Sequence, residues 1–518
     1  MCCEIPFRRD WFAVLGLLVL AAGPAAAQSP PRLPPRPLTL EEVLEVAESR
    51  SETIAAARAG VQRAEAEQVR ARSAVYPQLS GSLSYERALA SEFEGVFDDF
   101  QGAGDEALDL PFGRENTWRF NLSFSQNLYS GGRIAAQRAQ AAAGRSVAGI
   151  GLTTTRAQLL FDVTQAYYDA ALSDRLVAIA EATLQQSDAT VRQVNAAFAA
   201  GMQPEFELLR ARVTRDTQTP ALVRQRANRE VALIRLKQLL DLPLDYDLRL
   251  AAALDEARPP AAFAARVADV EALATRDDPL AGVLGASGSD PARAVVAEAA
   301  AAVALREATR SAAAAERMPR LALTSNYGRV GYPTGIVPDL GRTNWTVGAT
   351  VSMPILTGGQ LRANEQIARA DVEQSRAQLQ LTRELAGVDT RAAWAELVAA
   401  RAAWEATAGT IEQASRAHEI AQVRYREGVS TQLELSDARL LLQQAGANRA
   451  QAGRDLQVAR ARVALLPDLP LGVGTPAMQT RPPQTAPPTP APSPVVPDTA
   501  LVGTAAGRQG SPFIGGQQ

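Results

Sequence analysis

The sequence predicts an α+β chain in which one unit of long helices and paired strands occurs twice. Three observations support this prediction. Landmark residues recur at a constant spacing of 227 positions, long stretches space small or apolar residues alternately four and three apart, and short stretches alternate apolar with polar residues. The first observation indicates an internal duplication, the second indicates long packed helices, and the third indicates β-strands.

The duplication rests on three kinds of landmark. Each repeat has a Gly-Gly pair, a glycine between two helical stretches, and an Asp-Leu-Pro-Leu segment. The matching positions are Gly131 and Gly358, Gly201 and Gly428, and Asp241 and Asp468, each 227 residues apart. Because the three spacings agree, the two repeats have no net gap relative to each other over this distance.

Residues 1–27 are predicted to be a secretory signal peptide. Arg8 and Arg9 precede a short apolar stretch at residues 11–22, and small residues at 25–27 fit a cleavage site. An uncleaved anchor is the alternative, although the apolar stretch is short for a membrane span. Residues 28–37 are rich in proline and are predicted to be an exposed leader.

The first predicted repeat covers residues 38–244. It begins with a helix over residues 38–76, for which Thr39 is the expected N-cap, and Pro77 ends this helix. Two strands follow, separated by an acidic loop at residues 88–116.

A long helix is predicted to run from the first Gly-Gly pair to about residue 200, over roughly 100 Å. The first helix and the return helix, residues 204–240, are each about half as long, so we expect them to stack end to end along it. The seam of the long helix is predicted at Leu159, Val163, Ala166, Ala170, Ser173, Val177, Ala180, Leu184, Ser187, Val191, Val194 and Phe198.

The strands have one apolar and aromatic face and one polar face. Trp118, Phe120 and Leu122 alternate with Arg119 and Asn121, and the second repeat shows the same alternation from residue 344 to residue 353. This pattern suits a strand between lipid and water. A half-buried hairpin of a soluble sheet has the same local pattern, so the strands alone leave both possibilities open.

The remaining segments complete the predicted organisation. Residues 245–290 form a connector rich in alanine, proline, glycine and aspartate, and residues 291–471 form the second repeat. Residues 472–518 are rich in proline without a period and are predicted to be a disordered tail.

Several function classes lack support in the sequence. The net charge of −3 gives no electrostatic case for nucleic-acid binding. No catalytic, cofactor or metal constellation is evident, and His418, the one histidine, falls on the predicted helix seam. The Gly-Gly pairs lack a following Lys-Ser/Thr, so they indicate strand-to-helix turns rather than phosphate sites.

Taken together, these features resemble the TolC-like outer-membrane efflux family, over about residues 38–471. Four local motifs carry the resemblance, and their order and shared spacing make it specific. They are Tyr76-Pro77-Gln78-Leu79, Asn127-Leu128-Tyr129-Ser130-Gly131-Gly132, Met353-Pro354-Ile355-Leu356-Thr357-Gly358-Gly359 and Tyr425-Arg426-Glu427-Gly428.

The resemblance implies a homotrimer in the outer membrane of a Gram-negative bacterium. Four strands from each chain would close a twelve-stranded transmembrane β-barrel in lipid, and the helices would continue it as a long periplasmic coiled-coil barrel. The implied function is a passive exit duct for small molecules or type I secreted cargo. Its implied partners are a periplasmic adaptor and an inner-membrane pump of the RND or ABC type.

The resemblance also places a gate at the hairpin tips. Glu207 and Arg210 are three residues apart and are expected to pair, whereas Glu434 and Asp437 put two carboxylates on one helix face without such a partner. In a trimer these carboxylates would form two rings that attract cations. An ordinary solvated helix face is the alternative interpretation.

Two further expectations concern the tips. In similar proteins, polar contacts between neighbouring helices hold the periplasmic entrance closed. Tyr425 and Glu207 match two of the residues that make these contacts. Ser430 stands where a basic partner is expected, so Arg424 or Arg426 would have to substitute.

Gly201 and Gly428 are expected to mark the rim that meets the adaptor, or simply to end their helices. The rival function is a periplasmic coiled-coil adaptor that does not conduct, which the two strand pairs disfavour.

Overall fold

The computed structural model describes residues 36–90, 115–251, 254, 260–268, 293–333 and 340–472. The predicted signal peptide, most of the leader, most of the acidic loop and of the connector, and nearly all of the tail lie outside these ranges. The helices are α1 (Leu40–Arg50), α2 (Glu52–Ser73), α3 (Arg133–Ala199), α4 (Glu205–Leu239), α5 (Ala294–Ala315), α6 (Gln360–Arg426) and α7 (Gln432–Leu465). The strands are β1 (Gln78–Arg87), β2 (Asn116–Tyr129), β3 (Arg320–Gly331) and β4 (Arg342–Ser352).

The first helical segment is two helices, so the prediction of a single helix over residues 38–76 was wrong. Thr39 does cap α1, accepting a hydrogen bond from Glu42 N while the Glu42 carboxylate accepts one from Thr39 N. Ser51 then leaves helical geometry with ψ of 118° and caps α2 by accepting a hydrogen bond from Ile54 N. Neither glycine nor proline marks this break in the sequence.

The two long helices confirm the duplication. α3 and α6 each contain 67 residues, and their ends are 227 positions apart. Each begins after a glycine with φ of 90°, Gly132 in the first repeat and Gly359 in the second. Only glycine adopts such a left-handed conformation at little cost, so the Gly-Gly pairs set the start of both helices.

The strands form one antiparallel sheet in the order β1-β2-β3-β4. The register aligns the apolar positions of all four strands on one face. In the single chain this face is exposed on β1 and β4, where Leu79 is 65 % and Trp345 is 70 % exposed, and partly exposed on β2 and β3. The apolar face carries Leu79, Leu83, Tyr85, Trp118, Phe120, Leu122, Phe124, Leu321, Leu323, Tyr327, Trp345, Val347 and Val351. The opposite face carries Ser80, Ser82, Ser84, Asn121, Ser123, Thr324, Asn326, Asn344, Thr346 and Thr350.

The helices pack side by side in the order α2 and α4, then α3, then α5 and α7, then α6. α2 and α4 pack against successive parts of α3, as the predicted stacking requires. A salt bridge of 2.9 Å between Arg145 and Glu65 joins α3 to α2, and one of 2.7 Å between Arg226 and Glu181 joins α4 to α3. α3 therefore has neighbours on both sides, whereas α6 packs mainly against α5 and α7.

A buried ionic cluster joins the ends of the second repeat. Asp389 of α6 is 1 % exposed, and its carboxylate accepts hydrogen bonds from Arg293 at 2.8 Å, from Arg462 at 3.1 Å and from Gly472 N at 3.3 Å. A Cβ atom on Gly472 would lie 2.6 Å from the Arg462 guanidinium and 3.1 Å from Asp389 Oδ1, so a larger residue there would displace the guanidinium. The cluster fixes the start of α5 and the end of α7 against the middle of α6.

We predict that Asp389→Ala destabilises the protein strongly, because it leaves Arg293 buried without its carboxylate. Removing one partner of a buried pair costs about 3–5 kcal/mol, which a thermal unfolding midpoint will show as a clear decrease. The matched control is Asp162→Ala, since Asp162 lies 227 positions earlier and is only partly buried. Equal decreases for the two variants would contradict the assignment.

Candidate functional site

Four helices converge at the end of the protein that carries the hairpin tips. Their buried residues form one apolar group, here called the tip cluster, which contains Val194 of α3, Leu208 and Ala211 of α4, Ala421 and Tyr425 of α6, and Leu435 and Ala438 of α7. Because each helix contributes, the cluster holds the two hairpins of one chain together close to their turns.

Both hairpins turn at glycine in the same way. At the first tip, Gly201 N donates to Phe198 O at 2.9 Å and Met202 N donates to Ala197 O at 2.9 Å, and the same two bonds recur 227 positions later at 3.1 and 2.9 Å. This pair of bonds is the Schellman motif, which requires a left-handed residue after the helix. Gly201 and Gly428 supply it with φ of 72° and 71°.

The backbone conformation, and not crowding within the chain, requires these two glycines. A Cβ atom at Gly201 or at Gly428 would have no neighbouring heavy atom within 4 Å. The expectation that the glycines end their helices is therefore confirmed. Their role at a rim for an adaptor stays a prediction.

A buried hydrogen bond joins the two hairpins near the tips. Gln432, the first residue of α7, is 4 % exposed. In the orientation that satisfies both of its polar atoms, its amide donates to Glu207 Oε2 at 2.7 Å and to Glu207 O at 3.2 Å. The first hairpin is thus tied to the second through a carboxylate and a neutral amide. Glu207 has this contact in place of the expected pair with Arg210.

Tyr425 lies beside the same carboxylate. Burial in the tip cluster raises the pKa of Tyr425, the charge of Glu207 raises it further, and a hydrogen bond with Gln203 opposes the rise. The phenol therefore stays protonated and able to donate a hydrogen bond. The structure brings Tyr425 and Glu207 together, as the resemblance implied.

The second pair of predicted gate residues lies at the surface. Glu434 lies 3.5 Å from Arg424, with side chains that are 45 % and 50 % exposed, so this ion pair contributes little, about 0–1 kcal/mol. Glu434 has no basic partner on its own helix, as expected, but Arg424 reaches it across the hairpin. Asp437 lies one turn further along α7 and is exposed. Arg424 is also the substitute that was considered for the basic residue missing at Ser430.

A second polar contact between the hairpins was not predicted. Arg439 of α7 is 8 % exposed and donates to Ser187 Oγ at 3.1 Å and to Thr190 Oγ1 at 3.0 Å, both on α3. His418 is buried close by on α6, where burial and then the charge of Arg439 lower its pKa. Its position on the seam is confirmed.

One signal in the sequence pointed to Arg439. It lies four residues after the buried Leu435, at a position where a helix seam normally carries an apolar residue. Gln432 gave no such signal, since its partner is distant in the sequence.

In the parts of the chain that the structure describes, no group of three or more histidine, cysteine, aspartate or glutamate side chains is arranged to hold a metal ion. None of the helices described above is both long enough and apolar enough to cross a membrane.

Comparison with known proteins identifies the family. The sequence model of the outer membrane efflux protein family matches residues 43–241 and 292–467, which is most of the chain. The chain belongs to the outer membrane efflux protein family. Its two matched segments leave out most of the connector between the repeats.

Individual relatives agree with this assignment. The pyoverdine export outer membrane protein OpmQ of Pseudomonas putida is 25% identical over 436 residues, which cover 82% of this chain and 84% of that protein. The outer membrane channel CmeC of Campylobacter jejuni has a TM-score of 0.66 at 16% identity, covering 84% of this chain and 87% of that one. The open state of the Neisseria gonorrhoeae channel MtrE has a TM-score of 0.63 at 20% identity, covering 84% and 91%.

Membership of the outer membrane efflux protein family places this chain in the outer membrane of a Gram-negative bacterium, with an extension into the periplasm. The protein is an efflux channel of the TolC-like fold, and the adaptor alternative is not favoured. Proteins of this family are channels rather than enzymes, and they generally work as homotrimers with an adaptor and an inner-membrane pump.

We predict that Gln432→Glu opens the channel at neutral pH, because it places a second carboxylate against Glu207. The variant loses a hydrogen bond to a charged group, which is worth about 1.5–3 kcal/mol, and gains like-charge repulsion. The measurement is single-channel conductance of the reconstituted protein, which we expect to increase and to fall again on acidification. Glu41→Gln, in the first turn of α1 and far from the tips, is the control with a small effect, and an unchanged Gln432→Glu conductance would contradict the role of this bond.

Proposed function

We propose that three copies of this chain form a passive exit duct, which is closed at the hairpin tips and completed in the cell by a periplasmic adaptor and an inner-membrane pump of the RND or ABC type. The proposal rests mainly on a difference between the two long helices in the neighbours that they have within the chain. α3 has neighbours on both sides within the chain, and its counterpart α6 has them mainly on one side.

The sheet supports the proposal first. Its two edges, β1 and β4, are separated by β2 and β3 and do not pair with each other within the chain. Unpaired strand edges are costly in lipid, where no water satisfies the backbone. Four strands from each of three copies would close a ring of twelve, with the apolar face toward lipid and the face of serine, threonine and asparagine toward the lumen.

The helices support the same assembly. Within the chain, the long helix of the first repeat, α3, packs against the short helices of the second repeat, α5 and α7. By analogy, the open side of α6, the long helix of the second repeat, should pack against α2 and α4 of the next copy. This contact is head to tail, which gives a closed ring when the rotation closes. Exposed apolar residues are available on both sides of such a contact. They are Ile367, Leu381, Val388, Val398, Ile420 and Val423 on α6, and Leu209, Val213, Val223 and Val231 on α4.

The Gly-Gly turns supply a specific position for the contact. A Cβ atom at Gly131 would lie 2.2 Å from Met318 Cβ, so β2 turns tightly against the residue before Pro319. At Gly358, the equivalent glycine, no heavy atom lies within 4 Å. Tyr76 precedes Pro77 before β1, just as Met318 precedes Pro319 before β3, and it is 66 % exposed in the single chain. By this correspondence, Tyr76 of the next copy would occupy the space beside Gly358.

We predict that Gly131→Ala impairs folding of the protomer, whereas Gly358→Ala impairs assembly of the trimer. Both glycines have positive φ, 62° and 57°, so both variants carry similar backbone strain, about 1–2 kcal/mol. Gly131→Ala should lower the yield of folded protomer, whereas Gly358→Ala should give folded protomer with less trimer. Size-exclusion chromatography with light scattering in detergent measures the two amounts. A full yield of trimer from Gly358→Ala would count against the proposed interface.

The tips supply a candidate surface for the adaptor. Met202 and Phe206 are exposed at the first tip, and Val429 and Leu433 are exposed at the matching positions of the second. Three copies would present six such apolar pairs on one rim. This repetition suits a partner that offers the same contact to both kinds of tip.

The cargo that the relatives favour is a small molecule. OpmQ is named as an exporter of pyoverdine. We propose small-molecule export for this chain on that similarity, with type I secreted cargo as the less supported alternative.

Conductance and ion selectivity test the duct. We expect a small, cation-preferring conductance, because Glu434 and Asp437 would stand in stacked rings at the constriction. Glu434→Gln combined with Asp437→Asn should reduce the preference for cations, and Glu41→Gln, in the first turn of α1 far from the tips, serves as the control. Absence of conductance, with the protein released by high salt instead of detergent, would support the adaptor alternative.

A further inference from the structure

The second hairpin carries a buried cation that lacks a carboxylate partner. Within the described ranges, the hydrogen bonds of Arg439 go to the hydroxyl groups of Ser187 and Thr190, and its Nε atom has no partner. The two hydroxyl groups donate their own protons to backbone carbonyls of α3, Ser187 to Thr183 O and Thr190 to Gln186 O, each at 2.9 Å. Their lone pairs are therefore what holds the guanidinium.

The balance of forces at this contact differs from that at Gln432. Burying a charged group costs several kcal/mol, and neutral hydrogen bonds repay only part of that cost. The burial of Arg439 lowers its pKa for the same reason. A motion that separates α7 from α3 would return the guanidinium to water and recover this energy.

The repeat shows that the contact is not needed for the fold of a hairpin. The position of Arg439 corresponds to Arg212 in the first repeat, which is exposed, and the position of His418 corresponds to Val191. The return helices have nearly the same length, 35 and 34 residues, and the two tips turn in the same way, yet the first hairpin has no buried cation at the matching position.

We propose that Arg439 is a positioning residue that biases the second hairpin toward opening, because its buried guanidinium is held against α3 by neutral hydroxyl groups alone. This inference rests on the proposed function, since it assumes that the hairpin tips close the duct. Gln432 and Arg439 then act in opposite directions on neighbouring turns. The amide bond favours the closed state, and the desolvated cation limits how far the closed state is favoured.

Two substitutions at the contact should have opposite effects. Arg439→Leu removes the buried charge and keeps apolar volume, so the open probability of single channels should fall about threefold or more. Ser187→Ala with Thr190→Val removes the acceptors and leaves the charge, so the open probability should rise about tenfold. The triple variant should behave like Arg439→Leu, because the hydroxyl groups matter only when the cation is present.

The controls separate a failed inference from a failed function. Arg212→Leu, the matched exposed position, should leave the open probability within about twofold of the unsubstituted protein. Thr190→Val alone is a milder variant that tests the same contact if the double variant does not fold. A rise in open probability with Arg439→Leu, or equal effects of Arg439→Leu and Arg212→Leu, would overturn the inference while leaving the duct intact. If neither the unsubstituted protein nor Gln432→Glu conducts, both this inference and the proposed duct fail.

Discussion

A helix of 67 residues extends over about 100 Å and needs neighbours along its whole length. Most of its stability comes from packing rather than from intrinsic propensity. The chain meets this requirement for α3 by placing shorter helices end to end on both of its sides. It meets the requirement for α6 on one side only. The strands also differ in how many neighbours they have. β2 and β3 pair on both sides, whereas β1 and β4 are the edges of the sheet and pair on one side only within the chain.

Duplication gave the two hairpins nearly the same length and the same glycine turns, yet their polar contacts differ. The first repeat has Val191 and an exposed Arg212 where the second has a buried His418 and a buried Arg439. The backbone of the tips is therefore the same in the two repeats, while the polar side chains buried near the tips differ.

Sequence patterns predicted the parts of the structure that depend on local chemistry. Periodicity placed the seam of α3, most of which is buried from Leu159 to Val194, although Phe198 at its end is exposed. Glycine marked the helix ends because positive φ has few alternatives. The break at Ser51 was missed because serine also occurs within helices. Gln432 was missed because its bond to Glu207 depends on how two hairpins align, which no local pattern records.

The bond between Gln432 and Glu207 has one consequence for how the tips respond to salt. Attraction between two exposed charges weakens as salt rises, because mobile ions screen it within about 10 Å at 0.1 M. The contact here joins a carboxylate to an uncharged amide that is only 4 % exposed. This bond therefore changes little with salt, and in the proposed duct it would supply a part of the closure that salt does not weaken, unlike the exposed pair of Arg424 and Glu434.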